Sequence, residues 1–134
     1  MSTKYTVHFA DYTKSHYIKK LVKKYHQKPW DITERALKSL GENIEAMFES
    51  DQVRLIHVKK NLSIHKVYFS VAGTGVGYKD SCCRAIIVVD SEKKLVTFML
   101  IYHKTQLPGK GGETMQWQRI IRENFPEYQG LVAA

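Results

Sequence analysis

Apolar residues in this chain change their spacing several times, and each change predicts a different element. From Lys4 to Ala10, KYTVHFA puts Tyr5, Val7 and Phe9 at every second position, the period of a half-buried strand. The next segment, DYTKSHYIKKLVKKYHQ, carries Tyr17, Ile18, Leu21, Val22 and Tyr25 at helical spacing, and the lysines at 19, 20, 23 and 24 take the remaining faces. Pro29 ends this helix, because proline disfavours helical geometry at the residue before it. The DITE segment from Asp31 to Glu34 has capping-box spacing and opens a second helix. Its apolar stripe is Ile32, Ala36, Leu37, Leu40, Ile44, Met47 and Phe48. The short connection makes the pair an αα-hairpin.

From Asp51 the pattern becomes that of strands. RLIHVKK, from Arg54 to Lys60, predicts a second strand, and Asn61 to Ser63 a turn. Three runs rich in Val, Ile, Phe and Tyr follow: HKVYFSVAG from His65, CCRAIIVVD from Cys82 and LVTFMLIYHKTQL from Leu95. The last two are nearly continuous in apolar residues, as strands buried on both faces are. The loop TGVGYKDS and the tight connector SEKK join them. After a basic loop from Pro108 to Gly112, Glu113 to Asn124 predicts a final helix with Met115, Trp117, Ile120 and Ile121 inward. Pro126 stops it, and the tail EYQGLVAA is expected to be loose. No repeat or linker interrupts the chain. The expectation is one α+β domain over residues 1–134, in the order β-α-α-β-β-β-β-α, with the hairpin and the C-terminal helix packed on a mostly antiparallel sheet.

A chain of 134 residues can bury a proper core, and its 43% apolar and 25% charged residues are ordinary for a globular domain. The net charge of +8 is not ordinary; it favours nucleic acid or an anionic membrane as partner, with solubility alone as the alternative. Cys82 and Cys83 are adjacent and would point to opposite faces of a strand, a poor geometry for a mutual disulfide. A reducing compartment, the cytoplasm, is the expectation. No run approaches a membrane span, and the start lacks the apolar core of a signal peptide.

Candidate chemistry lies at the strand margins, in Lys66, Lys79, Arg84, His103 and Lys104. GTGVG at 73–77 is no phosphate cradle, since no Lys-Ser/Thr and no helix follow it. Tyr78 and Lys79 beside it could lie against a bound strand. Histidines at 8, 16, 26, 57, 65 and 103 have no metal-ligand spacing, so neither a metal nor a cofactor is expected. His57 and His65 flank a predicted hairpin and could meet across it. His103, between Tyr102 and Lys104 at a strand end, can move protons near neutrality. Asp80, Asp90, Glu92, Glu113 and Glu123 show no pairing for acid–base work, and Asp90 sits where a turn wants an Asp. Ser81, Cys82 and Cys83 have no identifiable orienting base for a thiol nucleophile.

The order of elements and the placed cations together resemble the RelE/ParE superfamily of bacterial toxins, and within it the RelE-like mRNA interferases. About residues 4 to 124 can be laid on that plan. The family's lysine entering a central strand resembles Lys66 in HKVYF, and its arginine at the start of the next strand resembles Arg84 in CRAII. Its basic residue closing the last strand resembles His103-Lys104. Two positions depart from the RelE type. Tyr68 stands where a second lysine is often found, and Thr105, Gln106 and Leu107 stand where the family has a functional tyrosine.

The resemblance implies a toxin of a toxin–antitoxin system, an endoribonuclease that cleaves mRNA, free or on the ribosome, without metal. A ribose 2′-hydroxyl would attack the adjacent phosphate, which needs a base, cations for the phosphorane and an acid for the leaving oxygen. It implies Arg84 on the phosphate, Lys66 or His103 as base (the lysine only if neighbouring cations depress its pKa), and Lys104 as added charge. Tyr68 or Tyr102 would stack on a base, and Lys79 and Lys110 would join the nucleic-acid surface. A small antitoxin protein would cover the basic groove. The alternatives are a ParE-like gyrase inhibitor on the same scaffold and a basic module that binds RNA or protein without catalysis.

Overall fold

The computed structural model describes residues 4–107 and 111–132. A short strand β1 (Thr6–Phe9) leads into a helix of three parts: α1 (Asp11–Thr13), a π-helical turn (Lys14–Ile18) and α2 (Lys19–Tyr25). Then come α3 (Gln27–Glu42), a short α4 (Ile44–Met47), and strands β2 (Val53–Lys59), β3 (Leu62–Phe69), β4 (Cys83–Asp90) and β5 (Leu95–His103). A 3-10 turn (Lys104–Gln106), helix α5 (Glu113–Asn124) and a second 3-10 turn (Pro126–Leu131) follow. The five strands form one sheet in the order β1-β5-β4-β3-β2, antiparallel except where β1 runs parallel to β5. The class is α+β with a mostly antiparallel sheet, in the predicted order of strands and helices.

The central strands β4 and β5 are buried on both faces, as their nearly continuous apolar runs predict. On one face Val67, Phe69, Ala85, Ile87, Val89, Val96, Phe98 and Ile101 meet Leu21, Trp30, Leu37 and Ile44 of the helical hairpin. On the other, Ile64, Ile86, Val88, Met99, Leu100 and Tyr102 meet Trp117, Ile120, Ile121 and Phe125 of α5 and its end. Each tryptophan, Trp30 above and Trp117 below, is 1% exposed and contributes on the order of 3 kcal/mol by burial.

A bulge decides which way β5 presents its last residues. Ile86 pairs with Leu100 but Ile87 pairs with Phe98, so Met99 is an extra residue. Met99 and Leu100 therefore both face α5, and the alternation resumes one step out of phase. Tyr102 consequently shares the α5 face with Arg84, its partner across the ladder. Strict alternation from Val96 and Phe98 would have turned Tyr102 to the hairpin side.

Several local expectations are corrected. The first helix ends at His26, whose φ of 74° leaves helical space, and α3 begins at the next residue. Pro29 sits inside the first turn of α3, where an N–H has no intrahelical partner to lose. Asp31 is thus not a cap; its carboxylate accepts from the Gln27 amide. The buried stripe of α3 is Trp30, Thr33, Leu37 and Gly41, whereas Ile32 and Phe48 are exposed. Thr33 faces inward because its hydroxyl donates to the Pro29 carbonyl and accepts from the Ala72 N–H. β3 already starts at Leu62, within the expected turn, and β5 ends at His103, four residues early. Met115 is exposed rather than inward. The tail is not loose over its described part: Leu131 and Val132 are buried beneath the α5 face of the sheet. Asp90 does hold its turn, its carboxylate accepting from the N–H groups of Glu92 and Lys93 and from the Asn61 amide.

Candidate functional site

The period-2 alternation of β3 and β4 places Lys66, Tyr68 and Arg84 on the face that carries α5, opposite the helical hairpin. Tyr68, Arg84 and Tyr102 form one row across three strands, each opposite the next in register. The Arg84 guanidinium lies 4.4 Å from the centre of the Tyr68 ring, and one of its nitrogens donates to its neighbour's carbonyl at Cys83. Arg84 is only 6% exposed, and among the described residues no carboxylate pairs with it. A buried cation normally finds a counter-charge. One that lacks it, with its fork held by an aromatic ring, is prepared for an incoming oxyanion.

Glu113, the first residue of α5, gathers the rest of the site. Its Oε2 accepts the Tyr102 hydroxyl at 2.6 Å and lies 3.2 Å from Lys66 Nζ, while its Oε1 is 3.7 Å from Lys104 Nζ. Burial pushes the Glu113 carboxyl up, but the Tyr102 hydroxyl and the ammonium groups of Lys66 and Lys104 outweigh it, and the net direction is down. The Tyr102 hydroxyl is driven well above its ordinary range, by burial first and then by the Glu113 carboxylate. Arg54 is a further cation on this side, paired in register with Lys66 across β2 and β3. A groove of about 320 Å³ is lined by Arg54, Lys66, Tyr68, Thr114 and Trp117. Among the described residues, four cations thus stand against one carboxylate.

The residues singled out in the sequence divide as follows. Lys66, Tyr68, Arg84, Tyr102 and Lys104 come together. Tyr102 is 0% exposed, so its ring is closed to a stacking base, and of the two tyrosines only half-buried Tyr68 has exposed surface. Lys66 has an anionic neighbour in Glu113, the opposite of the cationic surroundings that a lysine base requires. His103 lies opposite Cys83, on the hairpin side of the ladder, and its Nδ1 is bonded to the Thr105 hydroxyl and N–H. Its pKa is lowered by burial first, then by Lys24 and Arg84. Lys79 is drawn away into an ion pair with Asp51 at 2.9 Å, and Tyr78 donates to the same carboxylate at 2.6 Å. Lys110 lies outside the described residues.

His57 and His65 do not meet as a cross-strand pair, since Leu55 stands opposite His65. Glu113 and Arg54 went unrecognised in the sequence. Nothing local marks Glu113, whose partners are 47, 11 and 9 residues away in the chain.

Among the described residues no group of three His, Cys, Asp or Glu is close enough to hold a metal ion, and no helix is long and apolar enough to cross a membrane. Comparison with protein families, curated proteins and solved structures returned no significant match for this chain.

Proposed function

We propose that this chain is a RelE-like endoribonuclease of the toxin type, which cleaves mRNA, free or on the ribosome, by metal-independent attack of a 2′-hydroxyl on the adjacent phosphate. One observation carries the reading: among the described residues Arg84 is a buried cation without a carboxylate partner, aligned with two tyrosines on a sheet face that also bears Lys66, with Lys104 in the turn at its rim. A pentacoordinate phosphorane bears more charge on its equatorial oxygens than the phosphodiester does, and a fixed guanidinium stabilises that difference. Tyr68, with Arg84 over one ring face, is the stacking group for a nucleotide beside the scissile bond. Lys104, half exposed, adds charge at the rim. The RelE-like assignment is supported by the element order and by the separation of the helical hairpin from the cationic face. An antitoxin would silence such a protein by laying an acidic segment over the same groove.

The test is growth of a bacterial host on induction of the chain, wild type beside R84A/K104A, with messenger ends mapped in the arrested cells. Arrest with new internal ends, both lost in a double variant that still accumulates folded protein, is the expected result. Arrest by both chains without new RNA ends refutes the nuclease reading and points to another target such as gyrase.

A second reading is favoured by one contact set. Glu113 neutralises part of the charge of Lys66 and Lys104, as suits a face that binds RNA or a protein without chemistry. Binding of message without new ends in purified assays is its signature.

A further inference from the structure

We infer that Glu113 is the general base of this site, taking the proton from the attacking 2′-hydroxyl. The inference rests on the ribonuclease reading above and adds the group that its chemistry lacks. The two bases suggested by the sequence are not in position. Lys66 is ion-paired, and His103 faces the other side of the ladder with Nδ1 committed to Thr105. Glu113 is the carboxylate that the described residues bring to the cationic face.

The two carboxylate oxygens have different surroundings. Oε2 is held by the Tyr102 hydroxyl at 2.6 Å and Lys66 at 3.2 Å, which fixes the group in place. Among the described residues Oε1 takes part in no hydrogen bond, and the cation facing it is Lys104 at 3.7 Å, beyond hydrogen-bond range. Its lone pairs are open to a substrate hydroxyl, and the side chain retains 20% of its exposure. The groups facing the carboxylate are Lys66 from β3, Tyr102 from β5 and Lys104 from the turn after it, and together they keep it ionised at neutral pH. A carboxylate set among an arginine, lysines and a tyrosine can both accept a proton and leave the phosphate's charge stabilised.

In the step itself, Glu113 Oε1 takes the 2′-hydroxyl proton as the O2′–P bond forms. The P–O5′ bond breaks with its electron pair on O5′, and the Lys104 ammonium donates a proton to that oxygen. The products are a 2′,3′-cyclic phosphate and a 5′-hydroxyl. Lys104, at the rim, recovers its proton from water, and Glu113 returns its own there. No oxidant, reductant or further reactant is needed.

The experiment is single-turnover cleavage of a short RNA by wild type, E113A, E113Q, E113D and R84A in the presence of chelator. Binding is measured in parallel with the same oligomer carrying 2′-deoxyribose at the cleaved position, and folding by circular dichroism. E113A and E113Q are expected to cut at least about 100-fold more slowly while binding the deoxy oligomer as well as wild type. E113D, one methylene short, should keep an intermediate rate. Added formate should restore cutting to E113A, because the truncated side chain leaves room for a small carboxylate.

Cutting at the wild-type rate by E113Q, with tighter binding and formate acting as an inhibitor, overturns the inference, since Glu113 would then be a plug competing with the phosphate. That result leaves the ribonuclease reading intact. If E113A or E113Q fails to fold, E113D decides: a wild-type rate overturns the inference and an intermediate rate upholds it. A wild type that cuts neither naked nor ribosome-bound RNA refutes both readings together. Loss of cutting in R84A alone, with every Glu113 variant active, refutes only this one.

Discussion

Lowering the pH from 7 to 5 is expected to cost this fold about 2 kcal/mol through His65 alone. His65 is on the hairpin face of β3, 4% exposed, with its ring stacked on Phe48 at 5.0 Å and one nitrogen bonded to the Ser63 hydroxyl. The other nitrogen, Nδ1, is buried and has no hydrogen-bond partner among the described residues. Burial lowers its pKa from 6.5 to about 4. Between these values the unfolded chain binds a proton that the folded chain refuses, so stability falls as pH drops through 6.5 and levels off below about 4. At about 1.4 kcal/mol per pKa unit the full effect is about 3 kcal/mol, of which about 2 falls between pH 7 and 5. Asp51, Asp90 and Glu113 have lowered values, so the stability they add is lost only as pH falls below the ordinary carboxylate range, mostly under pH 5. His103 is shifted in the same direction as His65 and remains in both chains compared. The assay is urea unfolding of wild type and H65Q at pH 7, 6 and 5. H65Q should start less stable, having lost the stacked ring, yet lose about 2 kcal/mol less on acidification. Parallel losses in the two chains would refute the argument that His65 is held neutral.

Two packing predictions follow from single contacts. Thr13→Val should cost about 1–3 kcal/mol in urea unfolding, because the Thr13 hydroxyl accepts from the buried Ile101 N–H at 2.7 Å and valine leaves that donor unpaired. An unchanged midpoint would mean that water or another acceptor reaches it. Gly41→Ala should lower the melting temperature despite a helix-propensity gain of about 1 kcal/mol, because the new methyl would sit 2.7 Å from Val7 Cγ2 and 3.2 Å from a Phe98 ring carbon. A raised melting temperature would show that Val7 swings clear at little cost.

The parts of this molecule that were legible in its sequence are those governed by local periodicity. β4 and β5 declare themselves because both their faces are buried, so within the strands only Arg84 and Thr97 interrupt the apolar run. α5 begins and ends where its spacing says, and the lysines of α2 stay on its exposed faces. Within the site, the same period of 2 puts Lys66, Tyr68 and Arg84 on one face once β3 and β4 are in register. Errors arise where a side chain's polar bond overrides apolar pattern. Thr33 turned inward on two hydrogen bonds shifts the stripe of α3 away from Ile32, and Pro29 fits a first turn because its missing N–H costs nothing there.

The rest of the site depends on two events that no short window of sequence contains. Met99 is an ordinary apolar residue in an apolar strand, flanked by neither glycine nor proline, yet it is the bulge that returns Tyr102 to the face of Arg84. Glu113 has the composition of any first-turn acid, a position favoured by the helix dipole whether or not it has another role. Only the docking of α5 against β3 and β5 brings it to Lys66 and Tyr102. The two events are coupled: without the bulge the Tyr102 hydroxyl would face the helical hairpin, and Glu113 would lose its shortest bond and the anchor that orients its open oxygen. Local pattern therefore selects the cations of this face, and long-range packing decides whether they hold a carboxylate placed to accept a proton.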